Sequence, residues 1–186
     1  MRRQLLAGLR MLLILTLVLG VIYPLAVTGI AQVTMSHRAN GSLVDVDGSV
    51  VGSALLAQAF DGDEWFHPRP GSFDPTASGA SNLGPNNPDL IDAVKSAIAE
   101  VRKRDGVTDG TPLPADAVTT SGSNLDPDIS PAYAKLQASR VAAARGIPLQ
   151  DILDLIDRQT AGRTFGFMGD PRVNVLLLNL ALEHLA

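Results

Sequence analysis

Residues Met11 to Val33 run MLLILTLVLGVIYPLAVTGIAQV, and the reading of this stretch decides the rest. It carries no charged residue. As a helix rising ~1.5 Å per residue it is roughly 34 Å long, enough to cross a ~30 Å hydrocarbon layer with a little tilt. A backbone in lipid has to satisfy its own N–H and C=O groups, so the stretch is predicted to be a helix. Gly20, Pro24 and Gly29 would weaken a helix in water. In a membrane they are tolerated, and small residues let a neighbouring helix approach closely. A cleaved signal peptide is the competing reading, with Arg2, Arg3 and Arg10 as its basic end and Gly29-Ile30-Ala31 as a small-x-small site. Signal cores are usually ~7–15 residues long, shorter than this run, so a retained anchor is expected.

Charge orients the anchor. Arg2, Arg3 and Arg10 precede the span and only Arg38 follows it closely. Basic residues stay preferentially on the cytoplasmic side. Residues 1–10 are therefore expected in the cytoplasm, 11–33 in the bilayer, and 36–186 outside as one domain. In a bacterium that places the domain in the periplasm or at the cell surface, carried by the inner (cell) membrane. About 150 residues remain beyond the anchor, the size of one ordinary domain.

All 19 acidic residues follow the span, with 12 of the 15 basic ones, so the outer part carries a net −7. Such a balance disfavours a nucleic-acid partner and suits solubility. With no cysteine, the chain has no disulfide, no thiolate metal site and no cysteine nucleophile.

Beyond the anchor, Ala39-Asn40-Gly41-Ser42 signals a turn, and Leu43 to Val51 reads as a hairpin around Asp47-Gly48. Ser53 is expected to cap a short helix over 54–60. Residues 61–88 then form a long Gly/Pro/Ser/Asn-rich segment holding the only tryptophan, Trp65. Loops this long in compact domains are usually functional or disordered, and its aromatic residues argue for order. Asn87-Pro88-Asp89 starts a helix that ends near Asp105-Gly106. A short strand is expected at 117–120. Ser130-Pro131 opens a helix stopped by Gly146, and Pro148 begins another. Asp170-Pro171 is expected to open the last helix, although Val173-Asn174-Val175-Leu176 also suits a buried strand. The domain reads as α+β, dominated by helices, with a few short strands.

Motifs for chemistry are sparse. His37, His67 and His184 lack metal-ligand spacing, and no Gly-x-Ser-x-Gly elbow exists. His67 is expected to sit in a packed loop. Asp45 and Asp47 lack the later ligands of a calcium loop. The Gly/Ser loops at 78–84 and 121–124 lack Walker and Rossmann patterns and are expected to be structural turns. Arg69 and Arg140 have the fork geometry to grip a carboxylate, or to form ion pairs within the domain. Asn174 and Asn179 lie in an apolar run and are expected to tie loops to the final helix.

A series of short matches in order along nearly the whole chain carries a resemblance. It includes Tyr23-Pro24-Leu25, Ala39-Asn40-Gly41-Ser42-Leu43, Gly52-Ser53-Ala54-Leu55 with Gln58 and Phe60, and Phe66 with Arg69-Pro70. It continues through Ser78-Gly79-Ala80-Ser81-Asn82-Leu83, Ser121-Gly122-Ser123, Leu125-Asp126-Pro127, Gln137 and Arg140-Val141-Ala142. It closes on Gly169-Asp170-Pro171, Val173-Asn174-Val175-Leu176 and Leu178-Asn179-Leu180-Ala181-Leu182. Together these resemble the C subunit of the bacterial Kdp potassium-transporting ATPase. Gly71, Asn124 and Asp128 depart from the usual pattern.

The resemblance implies a non-catalytic single-span subunit with three partners besides the lipid bilayer. These are a channel-like potassium-binding subunit, a P-type subunit that hydrolyses ATP, and a very small one-helix subunit. It implies a catalytic chaperone that raises the pump subunit's affinity for ATP, so ATP and potassium belong to the complex and the chain has no cofactor of its own. Among the residues that carry it, Phe66, Arg69, Ser81, Asn82, Gln137, Arg140, Asn174 and Asn179 join Gly20, Pro24 and Gly29 as candidate partner contacts. A membrane-anchored or secreted hydrolase and a solute-binding module are the alternatives.

Overall fold

The computed structural model describes residues 1–185. The chain forms two compact units, one over Met1–Leu43 and one from Val44 onward.

The first unit is built on a long apolar helix from Arg2 to Ala39, none of whose residues is buried. It consists of α1 (Arg2–Leu17), a π-helical turn (Val18–Ile22) and α2 (Tyr23–Ala39). Pro24 explains the turn. Its ring clashes with the carbonyl four residues back, and it has no N–H to donate. Widening the preceding turn relieves both demands, and the Tyr23 N–H reaches back five residues to the Val18 carbonyl. Helical geometry breaks at Met35 (φ −150°, ψ 48°), two residues beyond the predicted end of the span.

Next along the chain comes a hairpin, β1 (Leu43–Val46) and β2 (Ser49–Ser53). Asp47 and Gly48 both have positive φ (53° and 81°), as a type I′ turn requires. The helix expected at 54–60 does not form. The Ser53 hydroxyl accepts from Leu55 N at 3.1 Å, and Ala57 N donates to Leu125 O at 2.8 Å. That long-range bond commits the backbone to a neighbouring segment, leaving one isolated turn. Residues 61–87 are irregular apart from a single 3₁₀ turn at Pro75–Ala77.

Helix α3 (Pro88–Asp105) begins with the Asn87 side chain accepting from Asp89 N and ends at Gly106 in the left-handed region. The strand expected at 117–120 is instead a helical turn, α4 (Ala115–Val118). Pro114 sets the entry φ, and the Thr119 hydroxyl donates back to the Ala115 carbonyl at 2.7 Å. This turns Ala117 fully into the core. Helices α5 (Pro131–Arg145) and α6 (Leu149–Gln159) pack together. Ala134, Ala138 and Ala142 of α5 are buried, as are Ile152, Leu155 and Ile156 of α6. The small alanine faces allow the helices to come close.

The last helix starts later than Asp170. Arg172–Asn174 is β5, and α7 runs from Val175 to Glu183. Two short strands claim both edges of β5: β3 (Asp128–Ile129) and β4 (Thr160–Ala161). Ile129 and Thr160 both register against Val173, which is fully buried. Asn174 then caps α7 by accepting from Leu177 N at 3.1 Å.

Ser130 is the point where three elements meet. Its hydroxyl accepts from Tyr133 N at 3.0 Å and donates to the Asp116 carboxylate at 3.0 Å, while Ser130 N donates to the same carboxylate at 2.6 Å. Ser130→Ala is expected to cost about 1–2 kcal/mol, the value of an N-cap hydroxyl. Urea unfolding of the full chain in detergent micelles measures this loss.

Candidate functional site

The chemistry of the domain is concentrated where the irregular segment 62–69 crosses helices α5 and α7. This segment has no strand partner. Buried backbone polar groups must nevertheless be paired, and here side chains pair them. Asn179 donates to the Phe66 carbonyl and accepts from the Phe66 N–H, both at 2.9 Å. Gln137 does the same for His67, at 3.0 and 2.8 Å. Each amide thus acts as one rung of a missing strand.

Arg140 extends the ladder. Its Nη1 donates to the Asp63 carbonyl and, at 2.9 Å, to that of Trp65. Its Nη2 donates to Gln137 Oε1 at 2.9 Å, holding that amide in its orientation. Arg145 donates to the Glu64 carbonyl at 2.9 Å and stacks over the Trp65 ring, 4.4 Å from its centroid. Phe66, clamped at the centre, has no exposed surface.

A buried ion cluster anchors Arg140. The Asp105 side chain is fully buried and receives Arg140 Nε at 2.7 Å and Arg104 Nη2 at 2.9 Å. Arg104 Nη2 also donates to the Tyr133 hydroxyl at 3.0 Å. Burial pushes the Tyr133 phenol above its usual pKa, against the pull of Arg104. Removing one partner from such a cluster leaves an uncompensated buried charge, at a typical cost of ~3–5 kcal/mol.

Beside this lattice lies a cleft of about 390 Å³ lined by Phe60, His67, Arg69, Phe73, Glu100 and Arg104 among others. Its cationic wall is already committed. Arg104 holds Asp105 and Tyr133, while Arg69 donates to the Thr119 and Thr120 carbonyls at 3.3 and 2.9 Å and pairs with Asp126 at 3.5 Å. Among the described residues no cluster of three His, Asp or Glu is placed to hold a metal ion.

The two Gly/Ser loops meet. Gly79 N and the Ser78 hydroxyl both donate to the Ser123 carbonyl at 3.1 Å, and Asn124 Nδ2 donates to the Gly79 carbonyl at 2.7 Å. Asn124 sits at φ 59°, a conformation asparagine tolerates. Gly71 lies against it. A Cβ there would come within 3.1 Å of the Asn124 carbonyl oxygen and 3.3 Å of the Phe73 ring. Two of the three departures from the resembled pattern therefore touch in space. The third, Asp128, pairs with Arg172 at 3.0 Å and accepts from Asn174 at 3.3 Å. Burial raises its carboxyl pKa.

Of the candidate contacts, Phe66, Gln137, Arg140 and Asn179 come together and are buried in this domain. Asn174, half-buried, bonds the Ala54 carbonyl at 2.9 Å, tying a loop to α7 as expected. The ion-pair reading of Arg69 and Arg140 is what the geometry realises. Ser81 and Asn82 are exposed in the 78–84 loop, apart from this lattice. Gly20, Pro24 and Gly29 lie in the first unit, where a Cβ on Gly20 would meet only Thr16 Cγ2 at 3.9 Å and one on Gly29 nothing within 4 Å. Asp105, Arg104 and Tyr133 were not singled out by sequence. Asp105 reads as a helix end, and its partner Arg140 is 35 positions away.

Asn179→Leu is expected to destabilise the domain by about 2–5 kcal/mol, because it strands the Phe66 N–H and C=O in the core. Calorimetry of the full chain reads this directly. His67 gives a pH signature. Desolvation, followed by repulsion from Arg104 and Arg140, lowers its pKa below the ordinary 6.5. The unfolded chain therefore takes up the proton first as pH falls. The His67 contribution is complete above about pH 6.5 and is lost progressively on acidification below it. In His67→Gln this part of the decline is expected to vanish, as melting curves between pH 7 and 5 would register.

A family profile described as KdpC, the c chain of K+-transporting ATPase, matches residues 5–184. A protein of Mycobacterium tuberculosis named potassium-transporting ATPase KdpC subunit is 50% identical over 189 residues, covering 100% of both chains. One of the same name from Caulobacter vibrioides is 54% identical over 173 residues, covering 90% of this chain and 86% of its own. Another from Rhodospirillum rubrum is 50% identical over 188 residues, covering 99% and 97%.

Proposed function

The chain belongs to the KdpC family, the c chain of K+-transporting ATPases, and from that premise we propose that it is a non-catalytic, single-span assembly subunit. Its partners are a channel-like potassium-binding subunit, a P-type subunit that hydrolyses ATP, and a very small one-helix subunit. ATP and potassium are bound by the complex, not by this chain alone. The apolar helix Arg2–Ala39, with no buried residue of its own, is the observation that carries the proposal. A surface that apolar is at home in lipid and against other helices.

In this reading residues 1–10 face the cytoplasm, 11–33 span the bilayer and the domain over 36–186 lies outside. The support is the basic pair Arg2-Arg3 with Arg10 ahead of the span. A domain on that side cannot touch cytoplasmic ATP. A chaperone effect on the pump's ATP affinity is then transmitted through the membrane helix and through assembly. The buried candidates act by holding the domain's shape, while Gly20, Pro24, Gly29, Ser81 and Asn82 remain available to partners. The hydrolase and solute-module readings draw no support from the family.

Gly20→Leu tests the helix contact. A Cβ at this position meets only Thr16 Cγ2 within 4 Å, at 3.9 Å, so a loss of partners reports on a neighbouring helix. Co-purification of the other subunits with the tagged full chain is expected to fall several-fold, in line with the close approach that small residues permit. Undiminished recovery would remove Gly20 from the interface. Protease added to intact spheroplasts is expected to cut the domain, and protection from it would reverse the orientation.

A further inference from the structure

Between β4 and β5 the connecting chain makes a small hairpin. Thr164 and Met168 exchange both backbone hydrogen bonds at 2.9 Å. Phe165 and Gly166 at its tip both lie in the left-handed region, with φ 53° and 81°. For a bulky residue such as Phe165 that conformation is a genuine outlier, of the kind found at binding sites. Phe165 is 84% exposed, Phe167 72% and Met168 52%. The two phenylalanines are the most exposed large apolar side chains outside the membrane helix among the described residues. They lie on a turn closed by two backbone hydrogen bonds, which limits the conformational freedom lost when they are buried.

Charge decides between lipid and protein as the occupant. The nearby arginines are paired, Arg163 with Asp170 at 3.2 Å and Arg172 with Asp128 at 3.0 Å. The part of the chain beyond the span carries a net −7. Anionic headgroups attract unpaired basic clusters, which this tip does not offer. An apolar tip with an ion-paired rim matches the anatomy of a protein interface, where aromatic anchors fill the centre and polar groups the edge. We propose that the Phe165–Met168 hairpin inserts into an apolar pocket on another subunit of the same transporter. This rests on the reading of the chain as an assembled subunit.

The test uses the whole complex, with the tagged full chain co-expressed with its partners. Asparagine tolerates the left-handed turn, so the double variant Phe165→Asn/Phe167→Ser keeps the hairpin and removes the anchor. The unaltered chain is expected to recover the other subunits, and the double variant roughly tenfold less, as for loss of an aromatic hot spot. Unchanged melting of the free variant confirms its fold. Independently, Phe167 replaced by p-benzoylphenylalanine and irradiated in membranes is expected to give an adduct with another subunit. Equal recovery with the double variant overturns the proposal and leaves the assembly reading standing. An adduct with lipid alone or with a second copy of this chain does the same. If the unaltered chain recovers no partner, both readings fall.

Discussion

The domain depends on one constraint: an irregular segment, residues 62–69, enters the interior at Phe66 and Pro68 without a strand beside it. Its N–H and C=O groups cannot be left dry, because each unpaired buried group costs on the order of 1–3 kcal/mol. The fold meets this demand with side chains. Asn179 and Gln137 each present a carboxamide C=O and N–H, as a peptide group does, and each closes a two-bond ring on one residue of the segment. Arg140 and Arg145 take the carbonyls upstream. Helices α5 and α7 are thereby fastened through a piece of chain that belongs to neither.

This lattice explains why charged residues stand in the core. The Arg140 guanidinium that donates to these carbonyls is buried, and it requires a counter-charge. Asp105 supplies it from the last turn of α3, with Arg104 and Tyr133 closing the far side. The helix α3, the segment and α5 are therefore linked by one continuous set of charge-assisted bonds. Such bonds are directional, so they define where each element sits more sharply than apolar contact alone. With no cysteine available, this network has no covalent cross-link beside it.

In the long N-terminal helix the governing constraint is the same accounting of backbone donors and acceptors. Pro24 removes one donor and crowds one carbonyl, and the π turn at Val18–Ile22 absorbs the defect within the helix. Gly20 and Gly29 lack side chains where the chain itself fills no space.

The sequence by itself determined whatever depends on local geometry or on lipid. A charge-free run of this length has one stable form in a bilayer. Asn87-Pro88 and Ser130-Pro131 start helices, while Gly106 and Gly146 end them, because caps act within a single turn. Asp47-Gly48 makes its hairpin for the same reason, and the ordered series of short matches already pointed to the family. Tertiary structure alone decided the rest. Residues 54–60 lose their helix where Ala57 bonds Leu125, residues 115–118 become helical, and Arg172–Asn174 becomes a strand because β3 and β4 take both its edges. Gln137, Arg140 and Asn179 hold a distant backbone, and their mates lie 35 to 113 positions away. Periodicity and caps reach only a few residues along the chain. Pairing at such separations exists only once the chain has closed on itself.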